Sequence, residues 1–594
     1  MRALAAFLLA SALAGAAASA PPPSIDLRTD FQLRLQGLGA GAAENAGDVS
    51  GDGVPDALVA VPGSPSTVFV VYGRRDAWRA RLTLASLRPG EGYRIVRPGP
   101  DVSPFPAVDA GDVNGDGVPD ALVGYATADG SVGEAYVVFG RRGVVPETID
   151  LTRLTPSDGY RIAGPQGAFA GIAVAAAGDV NGDGVPDALV GAPGPESAAG
   201  SVYVVYGRRP APPQPVRLDS LTPSEGYRVS GAPGDGVGQS LAPAGDVNGD
   251  GVPDGLLGAP SASHSFDDSG SVYVVYGQRS ATPATIELAT TEAWGYRIDG
   301  ASEFVLAGVD VDDAGDVSGD GRPDALVGAP GQTGAPLGSA YVVFGRPTPP
   351  GGPIALRALL PAEGYRIADT EAGSGAGYSI AGLGDLTGDG VPDAIVGAIG
   401  ARWHDGSGAA YVVYGRRAET DPEVDLADLG PADGYAVGGI PGANTGWAVA
   451  NAGDVDDNRI DEAWIWAPNY SPAPSAQGGT LLVGLPRPAA TPETGRAAVG
   501  RTRSVRIVIT CSAARGSICE GAARLVRQHR IVASAGFSVR ASARVAVGLR
   551  LNPGAARLLR RQGRLRLTVR VVATAEPPAP ATVRSRPLLL VPRR

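Results

Sequence analysis

The sequence predicts an all-β chain, a seven-bladed β-propeller followed by a small β-sandwich of Ig-like class. Three observations carry that expectation. An acidic loop, AGDVNGDGVPD in its fullest form, recurs from Asp48, Asp112, Asp179, Asp246, Asp316, Asp385 and Asp454, at intervals of 64, 67, 67, 70, 69 and 69 residues. A fixed period with a shared internal pattern marks a repeat array. Each unit holds four strand-like pieces separated by Gly and Pro and shows no 3.6-residue period, which excludes a helical solenoid. Four-stranded antiparallel sheets stacked around an axis are propeller blades. After residue 501 the period stops and Val, Leu and Ile alternate with Arg to the end of the 594 residues, the pattern of a small sandwich.

In chain order, residues 1–20 (MRALAAFLLASALAGAAASA) read as a secretory signal peptide: Arg2, an apolar run, and Ala18-Ser19-Ala20 as a small-residue cleavage site. No later run is apolar for about 20 residues, so no transmembrane segment is expected. The propeller spans 24–486. Within a unit, ALVGA and YVVYG are apolar on both faces and must be covered on both sides, whereas GYRI alternates and suits a partly wet outer edge. Seven acidic loops and seven third strands, the last near 480–486, leave the final blade one strand short. FQLRLQG, Phe31–Gly37, is the missing equivalent, so the N-terminal strand is expected to complete the last blade and seal the ring.

Residues 487–501 lack an apolar period and read as a linker, and 502–594 form the sandwich domain. From residue 501 onward there are 20 Arg against Glu520 and Glu576, a net of +18; the whole chain is −11, which leaves −29 on the first 500 residues. In an exported chain the basic segment reads as a solvated surface or a contact for an anionic polymer rather than for nucleic acid. Cys511 and Cys519, the only cysteines, read as one disulfide.

The acidic loop looks like half an EF-hand. From Asp179, oxygens at positions 1, 3 and 5 come from Asp179, Asn181 and Asp183, Gly184 makes the turn, and Asp187 at position 9 closes the shell. The EF-hand's Glu at position 12 is replaced by Val190, and a strand follows instead of a helix. Oxygen donors on a tight turn suit Ca²⁺, whose geometry is flexible, better than Mg²⁺. The expected ligand sets are Asp48, Ser50, Asp52 and Asp56; Asp112, Asn114, Asp116 and Asp120; Asp179, Asn181, Asp183 and Asp187; Asp246, Asn248, Asp250 and Asp254; Asp316, Ser318, Asp320 and Asp324; and Asp385, Thr387, Asp389 and Asp393. The seventh loop departs from the pattern: Asp454, Asp456, Asn458 and Glu462 remain, with Arg459 in place of the turn glycine. There a metal site and a metal-free Asx-turn stay equally open.

GDVNGDGVPDALVGAP followed by GSVYVVYG resembles the FG-GAP repeat, the blade of the integrin α-subunit head. The Gly-Ala-Pro half is clear at 191–193, 258–260 and 328–330, and the nearest Phe-Gly match is Phe169-Ala170-Gly171. The resemblance implies that the loops join strands one and two and bind calcium. It also implies that ligands meet the opposite face, where the connections from strand two to three lie. Those connections carry His264, Phe266, Trp403, His404 and Tyr470, and aromatic loop tips are platforms for sugar or peptide. The function expected is thus an exported, calcium-binding module for cell adhesion or for an extracellular protein or glycan ligand. With three His in the chain and no nucleophile, zinc or phosphate-loop motif, no catalytic residue is expected. Propellers of this kind also accompany phospholipases and polysaccharide-active enzymes, so an accessory or enzymatic role on such a substrate is the alternative.

Overall fold

Seven five-stranded sheets account for residues 24–483 in the computed structural model. The structure describes residues 42–483 except 62–64, 75–81, 100–105, 127–131, 143–146, 196–197, 280–283, 290–293, 332–337, 370–372, 388, 402–407, 418–422, 430–432, 439–441, 456–460 and 470–478. It also describes the strands Ser24–Asp26 and Leu33–Gln36 and, after residue 489, chiefly the backbone of the strands. The signal peptide lies outside the described residues.

Blade three shows the plan. Val174–Gly178, Asp187–Ala192, Ser201–Val205 and Gly226–Ser230 pair in order as antiparallel neighbours. The second and third strands, DALVGA and SVYVV, are buried throughout, as strands apolar on both faces must be. The first strands of the seven blades touch in a closed ring around the axis, Ala43–Asn45 meeting Ala448–Gly453 where the ring shuts. Seven apolar clusters, one between each pair of adjacent blades, form the core.

Closure follows the sequence expectation. Leu33–Gln36 pairs antiparallel with Gly479–Val483 and supplies the fourth strand of blade seven. Leu35 is fully buried there against the last and first blades.

The blade edge differs from expectation. GYRI is not the outermost strand, because a short parallel fifth strand covers it: Val216–Arg217 on Gly159–Ala163 in blade two, and Thr285–Glu287 on Gly226–Ser230 in blade three. Each fifth strand comes from the segment after the third strand of the next unit, so the chain reaches back and laces adjacent blades together. The leucine after it, such as Leu151, Leu218 or Leu426, enters a 3₁₀ turn and is buried. The signal is present as IDL at 149–151, VRL at 216–218, IEL at 286–288, IAL at 354–356 and VDL at 424–426. The same motif begins at Ile25, and Ser24–Asp26 caps blade six in parallel.

The FG-GAP glycines meet across blades. Gly171, at φ +86°, donates its N–H to the Gly191 carbonyl (2.8 Å), while a Cβ on Gly124 would stand 2.1 Å from the Gly171 carbonyl oxygen. The connection from blade two to blade three is therefore pressed between the second strands of the two blades with no room for a side chain.

Beyond the propeller, Ala490–Pro492, Ser504–Cys511 and Arg544–Arg550 form one sheet. Gly495–Val499, Thr582–Pro592, Leu565–Thr574, Ile518–Arg527 and Arg530–Arg540 form another, and strands of the two sheets touch. The expected linker at 487–501 is thus partly strand. Gly495–Val499 runs parallel to Thr582–Pro592, which differs from a wholly antiparallel sandwich. Cys511 ends a strand of the first sheet and Cys519 lies in a strand of the second; their side chains lie outside the described positions.

Candidate functional site

The acidic loops join strands one and two of their blades, and within each the first and ninth positions do different work. Asp179 accepts N–H bonds from Gly182 (2.7 Å), Asp183 (2.9 Å) and Gly184 (2.8 Å), folding the loop around its carboxylate. Asp183 accepts from Val185 N–H at 2.9 Å and is exposed. Asp187, at 0% exposure, opens strand two and clamps two segments. It accepts from Val180 N–H (2.9 Å) within the loop and from Gly207 N–H (2.8 Å) just past strand three. The clamp recurs on Gly73, Gly140, Gly277, Gly345 and Gly415 through Asp56, Asp120, Asp254, Asp324 and Asp393. It also explains why every unit has Gly after its YVVY-like strand: a Cβ on Gly207 would stand 2.2 Å from the Pro186 carbonyl oxygen. In the seventh loop Glu462 replaces Asp, is fully buried and accepts from Val455 N–H (3.0 Å). Asp456 and Asn458 lie outside the described residues.

Burial pushes the ninth-position carboxyls of loops one to five up to about 7. It drives Asp393 well above the usual carboxylate range. The backbone donors pull the other way, and the loop's other aspartates add to the rise. The donor set fits a hard cation on these grounds, because each loop gathers carboxylates whose mutual repulsion an ion would relieve. Among the described residues no three such groups stand in ion-holding geometry. The carboxylates accept from the loop's own N–H groups.

The opposite face carries the 2–3 and 4–1 connections. Here polar side chains lock neighbouring blades. Between blades one and two, Arg97 Nε donates to Glu134 Oε2 (3.2 Å), Tyr136 donates to the same oxygen, and Arg161 pairs with Oε1. Between blades three and four, His264 Nε2 lies 3.2 Å from Asp235 Oδ2 and 2.9 Å from the Tyr273 hydroxyl, which itself donates to Asp235 (2.9 Å). His264 is therefore part of a lock rather than a free loop tip. Phe266 is half-buried, with the Arg357 guanidinium 5.1 Å above its ring centroid. Trp403, His404 and Tyr470 lie outside the described residues. The locks were not legible as such, because their partners sit in different units.

Along the axis the first strands line a channel of about 770 Å³. Glu44 from blade one and Asp310 and Asp312 from blade five face it. Burial pushes both aspartates up to about 7 and Glu44 well above the usual range, with Asp312 and Asp310 adding to the rise at Glu44. These residues are partly exposed to the channel they line rather than fully buried. Asp310 and Asp312 also accept from Ile380 and Gly382 N–H, both at 2.9 Å, tying blade five to blade six.

The disc with its seven acidic loops is an FG-GAP, integrin-α-like β-propeller. The FG-GAP repeat model matches residues 170–205 and 237–275. Human integrin alpha-7 is 32% identical over 197 residues, 31% of this chain and 13% of that protein. Mouse phosphatidylinositol-glycan-specific phospholipase D is 33% identical over 187 residues, 30% of this chain and 20% of that protein. Integrin alpha-PS2 of Drosophila melanogaster is 30% identical over 233 residues, 37% of this chain and 15% of that protein. The match thus spans at most a fifth of each of these relatives. Among the described residues no helix is long and apolar enough to cross a membrane.

Proposed function

We propose that the protein is an exported, calcium-stapled propeller that binds an extracellular protein or glycan, in an adhesion or ligand-capture role. One observation carries the reading: the disc divides its chemistry between its faces. The acidic loops all open on one face, six of them clamped to the end of strand three, while the variable 2–3 and 4–1 connections gather on the other. Calcium on the first face serves stability; six loops keep the full donor pattern. With millimolar extracellular calcium and a Kd ten- to twentyfold lower, each site adds about 1.5 kcal/mol. The likeness to integrin alpha-7 supports the ligand-binding part.

The likeness to phosphatidylinositol-glycan-specific phospholipase D favours a second reading, a propeller that accompanies hydrolysis of an extracellular lipid or polymer. Both readings are tested on the purified protein with calcium, on a glycan and matrix-protein array run beside hydrolysis assays. Saturable binding without turnover is expected. Turnover of a lipid or polysaccharide would replace the first reading with the second, and binding that survives on a propeller unfolded by heat would overturn both.

A further inference from the structure

Four blades share a Tyr–Arg pair on the ligand-side face, and one of the four borders a cavity. Each places a strand-three Tyr beside a strand-four Arg: Tyr136 with Arg161, Tyr273 with Arg297, Tyr341 with Arg366, and Tyr203 with Arg228, where Arg228 Nε donates to Ser201 Oγ (2.9 Å). At the first, the buried Glu134 takes both the phenol and the guanidinium. At the second, Asp235 takes the phenol, and Asp299 takes Arg297 in two bonds of 2.6 and 3.1 Å. In both cases carboxylates of the chain fill the space between blades and neutralise the cation.

At the interface of blades four and five neither of the two corresponding positions holds an acid. Counting back two residues from the 4–1 loop residue that bridges to strand three (Val237, Ala307), Val305 stands where Asp235 stands one interface earlier. Ala368 replaces Asp299 at the end of strand four. A cavity of about 350 Å³ remains. Arg366 Nε donates to Ser339 Oγ (2.9 Å), and Arg366 also pairs with the half-exposed Glu423 carboxylate at 3.8 Å. Arg357, held over the Phe266 ring, borders the same cavity, and Val305, Leu356 and Leu359 give it an apolar wall.

We propose that this cleft is a binding site for an acidic sugar, a hexuronate unit of an extracellular glycan. Rather than a second internal acid, the Arg366 and Arg357 guanidiniums receive the ligand's carboxylate. Glu423 and Ser339 are placed for ring hydroxyls, which need acceptors as well as donors, and the apolar wall takes the C–H face of the ring. An acidic peptide side chain would satisfy the guanidiniums but bring no ring hydroxyls to Glu423 and leave the apolar wall uncovered. The site rests on the reading of this face as the ligand-binding one, and supplies its ligand class.

The test is calorimetric titration of the full chain, with calcium, by a tetrasaccharide alternating glucuronate and N-acetylglucosamine. Its carboxyl-reduced form and an Asp/Glu-rich peptide are titrated in parallel. The acidic tetrasaccharide is expected to bind, with the reduced form at least about tenfold weaker, a loss of about 1.4 kcal/mol. Arg366→Met should weaken binding about tenfold or more. Arg228→Met removes the same Arg-to-Ser bond in blade three (Arg228 Nε to Ser201 Oγ, 2.9 Å) and should leave binding within about twofold. Absence of binding, equal binding of the reduced sugar, preference for the peptide, or equal effects of the two substitutions would each overturn the proposal. If the tetrasaccharide fails while the array finds another saturable ligand, the ligand-binding reading stands and the hexuronate site falls.

Discussion

Deleting residues 21–40 should open the ring, and the structure gives the size and place of the effect. The deletion removes Leu33–Gln36 from blade seven and Ser24–Asp26 from blade six. Blade seven loses its fourth strand, and Gly479–Val483 becomes an unpaired edge. Leu35 alone sets a lower bound. It is fully buried against Trp464, Leu482, Val59 and Leu84, so Leu35→Ala should cost about 2–5 kcal/mol, the range for a fully buried leucine. The whole deletion adds the lost backbone pairing and should exceed that. Calorimetry of both variants gives the magnitude, and amide hydrogen exchange gives the place. Protection should fall at Leu481 and Leu482 and, in the deletion only, at Gly434–Gly438, while Ser201–Val205 of blade three changes little. An unchanged melting curve for the deletion, or exchange rising uniformly around the disc, would refute closure by the N-terminal strand.

The remaining predictions concern charges. Asp183→Ala should remove one calcium site by calorimetric titration yet barely change stability in chelator, since that side chain is exposed and holds one local N–H. Asp187→Ala should lower stability with or without calcium, by about 2–4 kcal/mol, because Val180 and Gly207 N–H lose a buried acceptor; equal behaviour of the two variants would remove the division of labour within the loop. Glu134→Gln should cost about 3–5 kcal/mol, chiefly by leaving the buried Arg97 without its charge partner, Arg161 being partly exposed, and a urea midpoint within error of the parent would contradict the lock. In the channel, Asp310 and Asp312 are held up to about 7, so the folded state binds protons the unfolded chain has released. Their contribution is full below about pH 4 and is lost as pH rises through about 7. In chelator the melting temperature should therefore fall between pH 5 and pH 8, and Glu44→Gln should flatten part of that fall by relieving the repulsion; a rise over that window would show the carboxyls ionised and compensated.

The repeat made most of this fold legible. A 67-residue period with two strands apolar on both faces leaves few arrangements other than a ring of sheets, and the missing fourth strand of the last unit pointed to the N-terminus. What escaped was whatever joins one unit to the next. The IDL-type fifth strands look like ordinary connections until the backbone is seen reaching back to the preceding blade. Glu134, Asp235 and Asp310 look like ordinary surface acids because their partners lie in other units. The ninth-position Asp shows the same limit within a unit. Its spacing reads as a metal ligand, whereas its burial and its bond to the glycine past strand three make it a clamp that any folded blade needs, with or without an ion. Asp183 carries no such second duty, so it is the position whose carboxylate calls for a cation. The acidic loop thus combines two devices that one sequence pattern cannot separate: a buried hinge pin at its end and an exposed charge cluster at its tip.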